Sequence, residues 1–339
     1  MAGPHTKCSL FLAIFLLLLA LTGCSQMANQ AVLENDQAIP TIIFDTDFAG
    51  DVDDVGALAI LHAMADAGEV EILGVMISTG EQYAPRAVDT VNTYYGRPDI
   101  PISATWAPAV SIDSNYTADL ALDFPNDLQA APNAVDLYRQ ILAERPDNSV
   151  TIVSVGFLTN LQGLLASEAD EHSDLGGPEL IAAKVDKLVT MGGHYPDSAA
   201  HPDGREYNFE LDAEATNMVV HDWPTPIVFS GFEIGEDIIT GAILTKETPA
   251  DNPVRVAYEI YTHGAGRSSW DLTAVHFAVR GLSDVWELSG PGNNVVFPDG
   301  RNKWDPTTDN QQYYLLNTLP KAQIEDLLDE LLIQPPQGQ

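Results

Sequence analysis

The sequence predicts an α/β protein built on a mainly parallel open sheet with helices on both faces. Short apolar runs at Thr41–Phe44, Val70–Ile77, Val150–Val155, Lys187–Met191 and Pro226–Phe229 lack the strict alternation of a half-exposed strand, so both of their faces are expected to be buried. Between them lie segments whose apolar residues recur at helical spacing, and strands that alternate with helices imply parallel pairing. With 45% hydrophobic and 19% charged residues, the composition is that of a globular protein rather than a disordered chain.

Each element follows in order. Thr41-Ile42-Ile43-Phe44 is a β-branched run behind Pro40 and reads as the first strand. A helix is expected from Asp54 to Ala67, with Leu58, Leu61 and Met64 on one face, then the strand Val70–Ile77, a helix over Ala84–Tyr95 and a short strand at Ile102. Residues 104–133 are rich in Pro, Asp and aromatics without a clear period and read as an excursion loop. The alternation resumes with a helix at Ala134–Glu144, the strand Val150–Val155 and a helix at Thr159–Ala166. The strand Lys187–Met191 ends in Gly192-Gly193, a helix covers Ala213–His221, and the strand Pro226–Phe229 ends in Ser230-Gly231. Later helices fall at Pro253–Thr262, Leu272–Arg280 and Lys321–Leu332. No internal repeat is visible, and residues 41–335 read as a single domain.

The chain carries 15 Lys and Arg against 49 Asp and Glu, a formal charge of −34. That field argues against a nucleic acid partner, because phosphate binding needs positive charge. The N-terminus reads as an address. Lys7 precedes an uncharged apolar run from Leu10 to Leu21, shorter than the roughly 20 residues that span a bilayer. It closes in Leu21-Thr22-Gly23-Cys24, which resembles the lipobox of bacterial lipoproteins. The expectation is a signal peptide over 1–23, lipidation at Cys24, and a polar tether over 24–40. The chain would then be exported and lipid-anchored, its only contact with a membrane being that lipid. Ser25 after the cysteine favours the outer membrane or periplasm. Cys8 and Cys24 are the only cysteines, so the mature chain can form no internal disulfide.

Chemistry is expected beyond the carboxyl ends of parallel strands. After the first strand stand Asp45, Asp47, Asp51, Asp53 and Asp54, five Asp in ten positions. Carboxylates that close do not all ionise in a folded site without a cation, and a hard divalent ion with oxygen ligands is the natural counter-charge; a solvated acidic loop is the alternative. Two familiar acidic loops do not fit. An EF-hand starting at Asp45 would place Ala49 and Gly56 where ligands belong. A haloacid-dehalogenase-type phosphatase expects Thr or Val two residues after its second Asp, and this chain has Phe48-Ala49.

Asp45-Thr46-Asp47-Phe48-Ala49-Gly50-Asp51-Val52-Asp53-Asp54, continuing into Val55-Gly56-Ala57-Leu58, resembles the N-terminal signature of the inosine/uridine-preferring nucleoside hydrolases. Gly156-Phe157-Leu158-Thr159-Asn160, Met191-Gly192-Gly193, Glu206-Tyr207-Asn208 and Trp270-Asp271 follow in the family's order, from about Thr41 to about Leu332. The resemblance implies a calcium ion (Ca2+) held by Asp47, Asp54, the main-chain oxygen of Val155, and Asp271. It implies that Asp53, Glu206 and Asn208 hold the sugar hydroxyls. The activity implied is hydrolysis of the N-glycosidic bond of ribonucleosides, with Asp47 as general base for the attacking water. It also implies a homo-oligomer, since family members are often dimers or tetramers, although no interface stripe is legible.

The chain departs from the family at several points. Its Asp loop is two residues longer, which makes Asp51 an extra carboxylate. Many members place a His, thought to protonate the leaving base, where this chain has Trp270, and an Asn where it has Ala200. His276 lies inside a predicted helix and reads as a packed residue rather than the missing acid. Glu233, in the turn after the strand Pro226–Phe229, and His194, after Gly193, are candidates to face the ligand, and Trp270 could stack on a base or sugar. Two other functions stay open: hydrolysis of another glycoside, and a non-catalytic calcium- and sugar-binding surface lipoprotein.

Overall fold

The computed structural model describes residues 39–105, 110–200, 204–307 and 310–337. The leader, Cys24 and most of the tether lie outside the described residues. The first half of the fold alternates β1 (Thr41–Thr46), α1 (Asp53–Asp66), β2 (Glu71–Ile77), α2 (Ala84–Tyr94) and β3 (Ile102–Ala104). Next come α3 (Thr117–Asp123), α4 (Ala134–Glu144), β4 (Val150–Ser154), α5 (Thr159–Leu165), α6 (Gly177–Lys184) and β5 (Val185–Met191). The chain then runs through α7 (Tyr207–Leu211), α8 (Ala213–Asp222), β6 (Ile227–Ser230), α9 (Phe232–Gly235), β7 (Ile239–Thr240), α10 (Leu244–Glu247), α11 (Pro253–Thr262), β8 (Arg267–Ser268) and α12 (Trp270–Arg280). It finishes with β9 (Trp286–Leu288), β10 (Asn293–Val296), β11 (Asn302–Asp305), β12 (Gln312–Asn317) and α13 (Lys321–Leu332).

Eight strands form the main sheet in the order β3-β2-β1-β4-β5-β6-β12-β9. All its pairings are parallel except β12 with β9. From β1 the chain builds outward to β3, then returns to place β4 on the other side of β1 and builds outward again. That reversal is the switch point of a doubly wound sheet, where the crossovers on either side diverge and leave a crevice at the strand C-termini.

Both faces of the central strands are buried. Ile43, Met76, Ile152, Leu188 and Ile227 belong to one apolar core with Leu137 and Ile141 of α4, Leu161 and Leu164 of α5, and Val219 of α8. On the other face α1 packs against α12 and α13. Every residue of α1 from Asp53 to Met64 is buried, which explains why its apolar residues surround the helix rather than forming a stripe.

The predicted strands and helices up to Pro253–Thr262 are present with ends shifted by no more than two residues, and α4, α11 and α13 match as written. Three expectations need correction. The excursion at 104–133 contains α3, whose Leu120 and Ala121 are buried; a helix of about two turns is too short to show a period. The helix expected at Leu272–Arg280 begins at Trp270, which places Trp270 and Asp271 in its first turn. The sequence pattern places no strand between 286 and 317, yet Gln312-Tyr313-Tyr314 extends the sheet beside β6. Its polar ends and tyrosines give no alternation that a local pattern would reveal.

Candidate active site

The crevice at the switch point is filled by the loop after β1. Thr46 ends the strand, accepts from the Phe48 amide at 3.2 Å, and donates its hydroxyl to Asp54. This turns Asp47 over the strand end and fixes the start of α1, whose first turn carries Asp53 and Asp54. The first turn of α12 meets it: the Asp271 amide donates to Asp53 at 3.2 Å. Two helix N-termini therefore converge with carboxylates in their first turns, where the helix dipoles favour negative charge.

β4 supplies the floor. The Val155 amide extends the β1 ladder to the carbonyl of Asp45 at 2.7 Å. Gly156 follows because the Asp loop passes directly over it; a Cβ there would stand 2.4 Å from the Asp47 nitrogen. Beyond β5, Gly193 adopts φ +77°, a left-handed conformation suited to glycine. Its amide donates to Glu206 at 3.1 Å. The Glu206 carboxylate also caps α7, accepting from the Asn208 and Phe209 amides at 3.0 Å each. Asn208 in turn donates its side-chain amide to the carbonyl oxygen of Val155 at 2.8 Å and of Met191 at 3.3 Å.

These parts enclose a cavity of about 320 Å³. Asp47, Asp51, Asp53, Asp54, Glu206 and Asp271 line it with Val155, Met191 and Asn208, and Tyr207, Phe232, Tyr261 and Trp270 add aromatic surface. Arg267 is the one cation among the lining residues. Burial, then the charge of Asp53 and other neighbouring carboxylates, pushes Asp47 up to about 8. Burial and mutual repulsion hold Asp53, Asp54 and Asp271 well above the usual carboxylate range. Carboxylates in that condition either keep protons or share a cation.

Oxygens of Asp53, Asp54 and Asp271 lie within 4.8 Å of one another, and these residues could hold a metal ion. Buried, hard, mutually repelling oxygen donors fit a divalent cation such as calcium. Asp47 lines the same cavity, outside that trio. Asp45 faces away from it, within the core: Tyr138 donates to it at 2.8 Å and Asn160 at 3.1 Å.

The family model for inosine-uridine preferring nucleoside hydrolases matches residues 42–288, a span that contains every residue lining the cavity. The chain belongs to the inosine-uridine preferring nucleoside hydrolase family. It is 31% identical over 190 residues to a pyrimidine-specific ribonucleoside hydrolase RihA of Klebsiella pneumoniae, covering 52% of this chain and 57% of that protein. It is 30% identical over 205 residues to the RihA of a Shewanella species, covering 57% of this chain and 59% of the relative. The chain thus spans somewhat over half the length of the curated relatives it matches. Among solved structures, the fold resembles an inosine-uridine preferring nucleoside hydrolase from Bacillus anthracis with a TM-score of 0.65 at 18% identity, covering 87% of this chain and 99% of that one. A plant nucleoside hydrolase gives 0.66 at 20% identity, over 88% and 100%.

Within this nucleoside hydrolase framework the residues singled out from sequence fall into two groups. Asp47, Asp53, Asp54, Val155, Glu206, Asn208, Trp270 and Asp271 all line the cavity. Glu233 and His194 do not. The turn after β6 presents Phe232 to the cavity instead, and His194 packs edge-to-face on that ring at 5.0 Å. Glu233 accepts from the Tyr195 amide at 3.2 Å. His276 is a packed helix residue, taking the indole N–H of Trp286 at 2.9 Å.

Sequence reasoning did not pick out Arg267 or Tyr261, and left Asp51 without a role. Asp51 forms an ion pair with Arg267, with 3.0 Å bonds from Nε to both carboxylate oxygens and one of 2.5 Å from Nη2. The scarcity of cations, and the place of Arg267 three residues before Trp270, were the only local signals available.

Proposed function

We propose that this family member is a calcium-dependent N-ribosyl hydrolase that splits ribonucleosides into ribose and free base. The observation that carries the reading is the meeting, in one cavity, of the Asp47–Asp53–Asp54–Asp271 carboxylates with Glu206 and Asn208. The relatives' names, pyrimidine-specific ribonucleoside hydrolases, support ribonucleosides as the substrate class and make uridine and cytidine the first to try.

Asp47, Asp54, Asp271 and the carbonyl oxygen of Val155 would hold calcium. Asp53 stands close enough to Asp54 and Asp271 to serve the ion and the sugar together. The Val155 oxygen already accepts from Asn208, but a carbonyl has a second lone pair to offer. When bound, the ion supplies positive charge that orients and polarises an attacking water and the vicinal hydroxyls. Asp47 takes the water's proton as its oxygen attacks the anomeric carbon. Glu206 and Asn208 hold the sugar hydroxyls, in positions set by the α7 cap and the Val155 carbonyl. The carboxylates around the ring favour the positive charge that develops on it as the bond to the base breaks. Trp270, Tyr261 and Phe232 offer apolar surface to the base.

The test is reducing-sugar release from uridine, cytidine, inosine and adenosine by the protein from Ser25 onward, with calcium and with chelator. Calcium-dependent release that falls by about 10³-fold in Asp47→Asn is the expected result. Release from none of them while calcium still binds would favour the sugar-binding lipoprotein. Release only from other glycosides would favour that second hydrolase reading.

The lipobox-like Leu21-Thr22-Gly23-Cys24 supports export and anchoring through Cys24, with the outer membrane or periplasm as the compartment. Cys24→Ser should move the chain from the membrane fraction to the soluble one. A chain that fractionates identically with and without Cys24 is not held by that residue.

A further inference from the structure

We propose that Arg267 is the group that stabilises the departing base, a role that rests on the nucleoside hydrolase reading above. Breaking the C1′–N bond sends its electron pair into the base, whose ring nitrogen and carbonyl oxygens become more negative. The water oxygen bonds to C1′; one of its protons stays on the new sugar hydroxyl and the other ends on the released base. Something must stabilise the base before that proton arrives, and the expected acids are not in place. Trp270 stands where the resemblance puts a His, His276 is bonded to Trp286, and Glu233 and His194 are off the cavity lining.

Arg267 has the attributes the step needs. It is the one cation among the lining residues, placed beside the aromatic surface suited to a flat ring. Its Cζ lies 5.0 Å from the centre of the Trp270 ring and 5.7 Å from that of Tyr261. The pairing with Asp51 uses Nε and Nη2, which leaves Nη1 with no hydrogen-bond partner among the described residues. Asp51 is itself fixed, its carbonyl taking the Tyr116 hydroxyl at 2.6 Å. The guanidinium is therefore held in one orientation before substrate arrives, the condition under which a donor is most effective at a developing charge. Arginine does not release its proton in proteins. Its contribution is thus a charged hydrogen bond to the base, and the base takes its final proton from elsewhere. This role also accounts for the additional carboxylate of the longer Asp loop, since Asp51 orients the donor.

A strut that merely ties the Asp loop to β8, just before α12, would also use the Asp51–Arg267 pair, and leaving-group dependence separates the two roles. The experiment compares native protein, Arg267→Met and Arg267→Lys on uridine, inosine and p-nitrophenyl riboside, whose leaving group departs readily as an anion. In Arg267→Met the ratio of nucleoside to p-nitrophenyl riboside kcat should fall about 100-fold, with Arg267→Lys in between. Residual turnover of p-nitrophenyl riboside shows that the variant is folded. Equal losses on all three substrates, or no loss, overturn the proposal in favour of a strut. Native protein that cleaves p-nitrophenyl riboside but no nucleoside also overturns it, while leaving riboside hydrolysis standing. Cleavage of neither removes the function reading and this role together.

Discussion

The side-chain amide of Asn208 donates to the main-chain oxygen of Val155 across 2.8 Å. Asn208 lies in the first turn of a short helix beyond β5 and Val155 directly follows β4, so the bond ties the sugar-side residues to the floor of the crevice. Asn208→Ala removes this donor and the one to Met191, leaving buried carbonyls short of a partner. A loss of about 1–3 kcal/mol in unfolding free energy is expected, together with reduced riboside turnover. Chemical denaturation checks the first and a riboside turnover assay the second, and an unchanged midpoint would show that water replaces the amide at no cost.

Asp271 sits in the first turn of α12 with its oxygens close to those of Asp53 and Asp54. A cation bound there stabilises the folded chain by mass action. Millimolar calcium should therefore raise the melting temperature of the native protein and have no effect on Asp271→Asn. A calcium-induced rise of the same size in the variant would exclude Asp271 as a ligand.

Glu233 shows how a misplaced candidate still affects stability. Burial, with the charges of Glu206 and Glu236 adding to it, pushes its carboxyl up to about 7 from an ordinary 4.5. The folded state then holds a proton that the unfolded state gives up between those values, so this group costs stability as pH rises through the window. Glu233→Gln keeps an acceptor for the Tyr195 amide and removes the titration. Melting curves should show it about 2–5 °C more stable at pH 8 and equal to native near pH 4. A gain that is the same at both pH values would mean that the cause is not ionisation.

Gly156 is set by close approach rather than by backbone angle. A methyl group there would meet the Asp47 nitrogen at 2.4 Å and the Ser78 hydroxyl at 2.7 Å. Gly156→Ala should destabilise the fold by about 1–3 kcal/mol and displace the Asp47 loop, lowering kcat more than an equal destabilisation placed elsewhere. Full turnover in a folded Gly156→Ala protein would show that the loop tolerates the shift.

What the sequence determined alone is whatever depends on neighbours in the chain. The apolar runs that become β1, β2, β4, β5 and β6 carry their burial in their own composition, and the helices between them carry a period. The Asp loop was legible because Asp47, Asp53 and Asp54 fall within eight positions, and because strand C-termini in parallel sheets are where ligands collect. The ordered motifs at Gly156, Met191, Glu206 and Trp270 were legible for the same reason. Tertiary structure decided the rest, through contacts between residues far apart in the chain. β12 joins β6 by backbone hydrogen bonds that no local alternation announces. Phe232 takes the place on the cavity wall for which Glu233 was a candidate, because the turn after β6 directs one side chain inward and its neighbour toward Tyr195. Asp51 meets Arg267 from 216 positions away, and only a folded sheet that brings the β1 loop against the start of α12 makes a single cation the partner of an acidic cavity.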